Sequence, residues 1–189
     1  MIMHYRYYIL PGGDGRNDYG WFDWLKKELE DRGHEATICE EYILSPAKRA
    51  EVFAKKYPLD DLTIIIGHSF GALAAVKWVE YAKQNIHGLI LVDPSIKDAF
   101  EIPWEEDEEM RLPSLESWDW QMDLPLVKSR IDACILLSDE QLAAKRKNWE
   151  HKQREMVEQL GAEFIFLKAE KQHFCAEQEP SVLDAALAF

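Results

Sequence analysis

Between residues 63 and 76 the chain reads Thr-Ile-Ile-Ile-Gly-His-Ser-Phe-Gly-Ala-Leu-Ala-Ala-Val, an order that few backbones can accommodate. Thr63 to Ile66 form an apolar, β-branched run, too short for a core helix and suited to a buried parallel strand. Ala72 to Val76 continue with small apolar residues and good helix formers. A strand therefore passes directly into a helix through Gly67-His68-Ser69-Phe70-Gly71. A turn that sharp crowds the positions two before and two after its centre, and both are glycine here. The pattern is that of a GxSxG nucleophile elbow, which makes Ser69 the candidate nucleophile at the carboxyl edge of a sheet. The amide of Phe70 is then half of a candidate oxyanion hole. His68, adjacent to Ser69 on a tight turn, points away from it and reads as a packing or hydrogen-bonding side chain.

The rest of the chain alternates in the same way. Tyr5 to Leu10 predicts a first strand, running into Pro11-Gly12-Gly13-Asp14-Gly15. That loop has neither GxGxxG nor the Lys-Ser/Thr ending of a phosphate loop. Following the strand expected beside the elbow strand, it can supply the second oxyanion donor, with the amide of Gly13 as the candidate. Residues 21 to 32 have a helical apolar period ended by Gly33, Ala36 to Cys39 predicts a second strand, and Pro46 opens a helix through Lys56. Gly88 to Val92 leads into Asp93-Pro94 as a fourth strand, Ala133 to Leu137 is a fifth, and Glu163 to Leu167 a sixth. Residues 141 to 160 read as one long solvated helix ended by Gly161, and residues 181 to 188 as a short closing helix. From Ser95 to Arg130 the periodicity dissolves among prolines, Trp104, Trp118, Trp120 and the acidic run 101 to 109. A loop of that length is usually functional or partly helical.

These elements predict a single α/β domain over residues 1–189. Its three layers would be a mostly parallel six-stranded sheet with helices on both faces. The formal charge of −13 makes nucleic acid an unsuitable partner. No stretch approaches the ~20 apolar residues of a membrane span, and the start breaks too early for a signal peptide. Cys39, Cys134 and Cys175 are widely spaced, with no CxxC pair, which fits a reducing compartment and argues against a zinc site. A cytoplasmic location is expected, with no metal or cofactor.

A serine hydroxyl needs an imidazole to take its proton, and the imidazole needs a carboxylate to fix its tautomer and stabilise its charge. In an elbow enzyme of this type the order along the chain is Ser, acid, His. Ser69, Asp139 and His173 satisfy it, each just past a predicted strand end, where open α/β sheets collect active residues. Glu140, one position on, and Asp93, past the fourth strand, are the alternative acids, and Asp139 is preferred. His4, His34, His87 and His151 fall at strand entries or on charged helices and read as surface or structural groups. Cys175 follows no elbow and reads as a small buried hydrophobe.

Tyr8-Ile9-Leu10-Pro11-Gly12-Gly13, the Gly20-Trp21-Phe22-Asp23-Trp24-Leu25 helix start, the elbow, Trp118-Asp119-Trp120 and His173-Phe174 occur in this order along most of the chain. In these segments it resembles the small lidless serine hydrolases of the retinoblastoma-binding protein 9 family. The resemblance implies an α/β-hydrolase fold without a large cap domain. It also implies Ser69 and His173 as nucleophile and base, and carboxylesterase-like activity on small acyl esters. The family's acid usually lies in an Asp-Pro turn, whereas Ser138-Asp139-Glu140-Gln141 has no proline; its base usually follows glycine, whereas His173 follows Gln172.

The first functional expectation is thus a serine hydrolase acting on a small-molecule ester through an acyl-enzyme. The contrasting one is a catalytically weak hydrolase-fold protein whose acidic segment 101–109 meets a basic protein partner, although such a charge run is more often a solvated loop. Acyl transfer to an acceptor other than water, or amide hydrolysis, would use the same triad.

Overall fold

A computed structural model describes residues 3–12, 21–41, 45–96, 121–146 and 148–189. The Gly13 oxyanion assignment, the acidic segment 101–109, and Trp104, Trp118 and Trp120 lie outside them. Among the described residues there are six strands: β1 (Arg6–Leu10), β2 (Glu35–Ile38), β3 (Thr63–His68), β4 (Ile86–Val92), β5 (Ile131–Asp139) and β6 (Glu163–Leu167). The helices are α1 (Trp21–Asp31), α2 (Pro46–Lys56), α3 (Phe70–Tyr81), α4 (Leu124–Lys128), α5 (Glu140–Lys145), α6 (Trp149–Leu160) and α7 (Pro180–Ala186).

The strands form one sheet in the order β2-β1-β3-β4-β5-β6, every neighbouring pair parallel. Side chains alternate between the two faces of a strand, so each inner strand feeds two cores. Tyr8, Leu10, Ile65, Leu89, Leu91, Cys134 and Leu136 pack with Ala50 and Phe53 of α2, the body of α3, Val127 of α4, and Met156 and Leu160 of α6. Tyr7, Ile9, Ile64, Ile66, Ile90, Val92, Ile135 and Leu137 pack on the opposite face with Trp21, Phe22, Leu25 and Leu29 of α1 and Val182, Leu183 and Ala186 of α7. Both faces of β3 are buried, which is why it reads as a continuous apolar run rather than an alternating one. The result is the expected three-layer α/β architecture, a small α/β-hydrolase fold. No helix among the described residues is long and apolar enough to cross a membrane.

The segment 141–160 departs from its predicted single helix. It divides into α5 and α6, and Asn148 at the junction adopts a left-handed φ of 66°. Asparagine tolerates that conformation better than most residues, so the break carries little strain. Its consequence is directional: α6 starts afresh with Trp149 turned inward and 1 % exposed, instead of continuing along the solvated line of α5.

Candidate active site

The elbow has the backbone its sequence requires. Ser69 has φ 54° and ψ −119°, a conformation costing a non-glycine residue roughly 1–3 kcal/mol and retained only where the surroundings enforce it. They do so here. The Ser69 N–H donates to the carbonyl of Val92 at 2.9 Å, tying the turn to the end of β4. A Cβ on Gly67 would lie 2.5 Å from the Cα of Ala72, and one on Gly71 would lie 2.2 Å from the carbonyl oxygen of Leu10. Both glycines are therefore demanded by backbone approach.

The exit of β1 presses on the same turn. A Cβ on Gly12 would come within 2.7 Å of the Ser69 Cβ. Arg49 of α2, 2 % exposed, donates from Nη1 to the carbonyl of Pro11 at 2.7 Å and pins this loop from below. Phe70 opens α3, and first-turn amides of a helix are left for partners outside the helical ladder. The loop after β1 and the start of α3 thus both converge on Ser69.

His173 lies in the loop after β6, and its ring is fixed from one side. Nδ1 of His173 hydrogen-bonds to Oδ2 of Asp93 at 2.5 Å. Asp93 is 0 % exposed, just past β4. Its other oxygen, Oδ1, accepts from the indole Nε1 of Trp149 at 3.0 Å and from Nε2 of Gln153 at 3.1 Å, both on α6. Burial works to raise the Asp93 carboxyl, but the hydrogen bonds from His173, Gln153 and Trp149 outweigh it and hold the group below its ordinary range. Asp93 is therefore a buried carboxylate with a donor on each oxygen, held by the helix that the break at Asn148 turned inward.

The backbone of the His173 loop is held as firmly as the ring. His173 and Phe174 both have positive φ, 62° and 51°. The N–H of His173 donates to Oδ2 of Asp139 at 2.9 Å, and its carbonyl accepts from Nε2 of His68 at 2.9 Å. The next carbonyl, that of Phe174, accepts from Nε1 of Trp21 at 2.8 Å. His68 is 1 % exposed; burial, with the neighbouring His173, pulls its pKa down to about 3, so at neutral pH it is an uncharged donor through Nε2.

The sequence model of the family described as serine hydrolase matches residues 7–179 of this chain. The chain belongs to the serine hydrolase family. Serine hydrolase RBBP9 of Rattus norvegicus is 30% identical over 126 residues, which span 61% of this chain and 61% of that relative. Among solved structures, the ydeN gene product of B. subtilis has a TM-score of 0.70 at 19% identity, covering 97% of both chains. A pyrethroid hydrolase from Sphingobium faniae JZ-2 has a TM-score of 0.58 at 12% identity over 98% of this chain and 96% of its own. At such identities these two likenesses speak for the fold.

Within this family member the residues singled out in sequence divide into two groups. Ser69, Phe70, His173 and Asp93 converge at the carboxyl ends of β3, β4 and β6. Asp139, the preferred acid, does not hold the imidazole. It ends β5, caps α5 by accepting from the N–H of Gln141 at 3.0 Å, and takes the N–H groups of Ala169 at 3.4 Å and His173 at 2.9 Å. Its carboxylate is occupied with backbone, because the loop after β6 folds over the end of β5 and presents amides there. Glu140 is the first residue of α5 and is exposed. Sequence reasoning did not single out Trp149, Gln153 or Ser95. The Asp-Pro pair after β4 was the available signal for a committed turn at Asp93, but nothing local marks a tryptophan four elements later as its partner. Among the described residues no cluster of three or more His, Cys, Asp or Glu side chains could hold a metal ion.

Proposed function

We propose that the chain is a carboxylesterase-like serine hydrolase in which Ser69 is the nucleophile, His173 the general base and Asp93 the acid. The observation that carries this reading is the 2.5 Å bond from the His173 ring to a fully buried carboxylate, in a sheet whose elbow serine emerges from the neighbouring strand. With Nδ1–H committed to Asp93, the remaining nitrogen, Nε2, carries a lone pair and can take the proton of Ser69. The Ser69 hydroxyl bonds the Ser95 hydroxyl at 2.8 Å, and contacts between a nucleophile and its base commonly tighten only in the substrate complex.

Attack by Ser69 Oγ on an ester carbonyl forms the C–O bond of an acyl-enzyme while the proton passes to His173. His173 then returns it to the departing alcohol. Water repeats the sequence and frees the acid. The Phe70 amide, with the Gly13 amide as its expected partner, stabilises the oxyanion in both halves. Small carboxylic esters are the favoured substrate class, and the net charge of −13 disfavours strongly anionic ones.

Reaction with a fluorophosphonate, followed by peptide mapping, tests the reading. Labelling at Ser69 that disappears in Ser69→Ala and slows at least a hundredfold in His173→Ala is expected. A folded wild-type protein that takes no label would overturn it.

A further inference from the structure

The turn that carries Asp93 carries a second buried group. Ser95, two residues on, is 2 % exposed, and its Oγ lies 2.8 Å from the Oγ of Ser69. Its placement is built, since its own N–H approaches the Ser69 carbonyl at 3.4 Å and the preceding carbonyl, that of Pro94, accepts from Gln153 at 3.5 Å. A loosely held serine would not be fixed from both sides in this way.

The direction of the bond between the two hydroxyls follows from what each proton can reach. A buried O–H left without an acceptor is costly, so each of the two protons needs one. Among the described residues the acceptor for the Ser95 proton is Ser69 Oγ. If Ser69 donated to Ser95 instead, the Ser95 proton would be stranded, and the Ser69 proton would be withheld from the base. The less costly arrangement has Ser95, 2 % exposed, donating to Ser69, 6 % exposed, because the Ser69 proton is the one of the two that keeps access to solvent.

On the reading of Ser69 and His173 given above, we propose that Ser95 is a further catalytic residue, a hydrogen-bond donor to the Oγ that attacks and later departs. No proton is transferred from it. In acylation it stabilises the charge that gathers on Ser69 Oγ as His173 takes the proton. In deacylation it stabilises the same atom as the bond between acyl carbon and Oγ breaks, before His173 returns the proton. One turn, residues 93 to 95, then supplies both the carboxylate behind the base and a donor in front of the nucleophile.

Steady-state and burst kinetics with p-nitrophenyl butyrate test this, using wild type, Ser69→Ala, Ser95→Ala and Ser95→Thr with melting temperatures measured alongside. Ser95→Ala should lower kcat about tenfold, the worth of one hydrogen bond to a developing charge, with KM and melting temperature little changed. Ser95→Thr, which keeps the hydroxyl, should recover most of that loss. A merely structural role would move stability and treat alanine and threonine alike, so equal losses in the two variants would overturn the proposal. So would a Ser95→Ala protein as fast as or faster than wild type, which would make the bond a restraint on a resting serine. Loss of turnover in Ser69→Ala beside a wild-type rate in Ser95→Ala refutes the role of Ser95 alone. Retention of turnover in Ser69→Ala refutes the nucleophile and the role of Ser95 with it.

Discussion

Replacing Asp93 by asparagine, beside the same change at Asp139, separates the two carboxylates that contact His173. Asparagine at 93 can keep its oxygen toward the donors Trp149 and Gln153, at 3.0 and 3.1 Å, and then sets an NH2 group against Nδ1 of His173. Two donors cannot share that 2.5 Å contact, so Nδ1 must become the acceptor and the ring proton must move to Nε2. A base protonated at Nε2 cannot accept from Ser69. The loss expected is that of a wrong-tautomer triad, about 10⁴-fold in kcat, or ~5 kcal/mol of transition-state stabilisation. Asparagine at 139 has a different effect. Its oxygen can keep the amides of Gln141 and Ala169, and the bond to the His173 N–H is lost. That costs about 1–3 kcal/mol of stability, leaves the tautomer alone and lowers kcat by about tenfold at most. Ester turnover, phosphonylation rates and urea unfolding of the two variants at pH 8 provide the comparison. A 10⁴-fold loss in Asp139→Asn beside a near-normal Asp93→Asn would refute the reasoning and return the acid to the end of β5.

Other outcomes follow from the same geometry. His68 has a pKa near 3 in the fold against about 6.5 when unfolded, so between those values the unfolded chain binds the extra proton. Stability therefore falls as pH drops through that window, by about 2 kcal/mol between pH 6.5 and pH 5 for this group. The unfolding free energies of wild type and His68→Gln, from urea titrations, should converge by that amount between pH 6.5 and pH 5, and an unchanged gap would contradict this. Gly71→Ala should lose about 3 kcal/mol or more, because its methyl would meet the carbonyls of Leu10 and Pro11 at 2.2 and 2.5 Å; an unchanged urea midpoint would contradict this. Trp149→Phe keeps the ring and removes one N–H from Asp93, and should lower kcat three- to tenfold with KM unchanged, read in the same ester assay.

The parts of this molecule that were legible in sequence are those whose cause is local. Gly67, Gly71 and Ser69 announce the elbow because a strand, a strained serine and a helix start follow one another within a few residues. β3 was legible from its apolar run, and the two-faced sheet from the alternation of strands and helices. The carboxylate that meets the imidazole was not, because three candidates sit at or just past strand ends and the choice depends on where the loop after β6 lies. That loop passes over β5 with its backbone toward Asp139 and its imidazole toward Asp93. The split of residues 141 to 160 was hidden for a similar reason. The solvated composition of the stretch says helix throughout, while the inward turn at Trp149 is enforced by a carboxylate more than fifty residues earlier. Propensity is a weak guide where tertiary partners decide.

The two aspartates at the ends of β4 and β5 also act together on the loop after β6. One grips the imidazole and the other grips its peptide, so a carboxylate stands at each of the two strand ends from which a histidine in this loop can be served. The imidazole and its own peptide are thereby moored to adjacent strands, so the loop after β6 cannot slide along the edge of the sheet without breaking one of the two bonds.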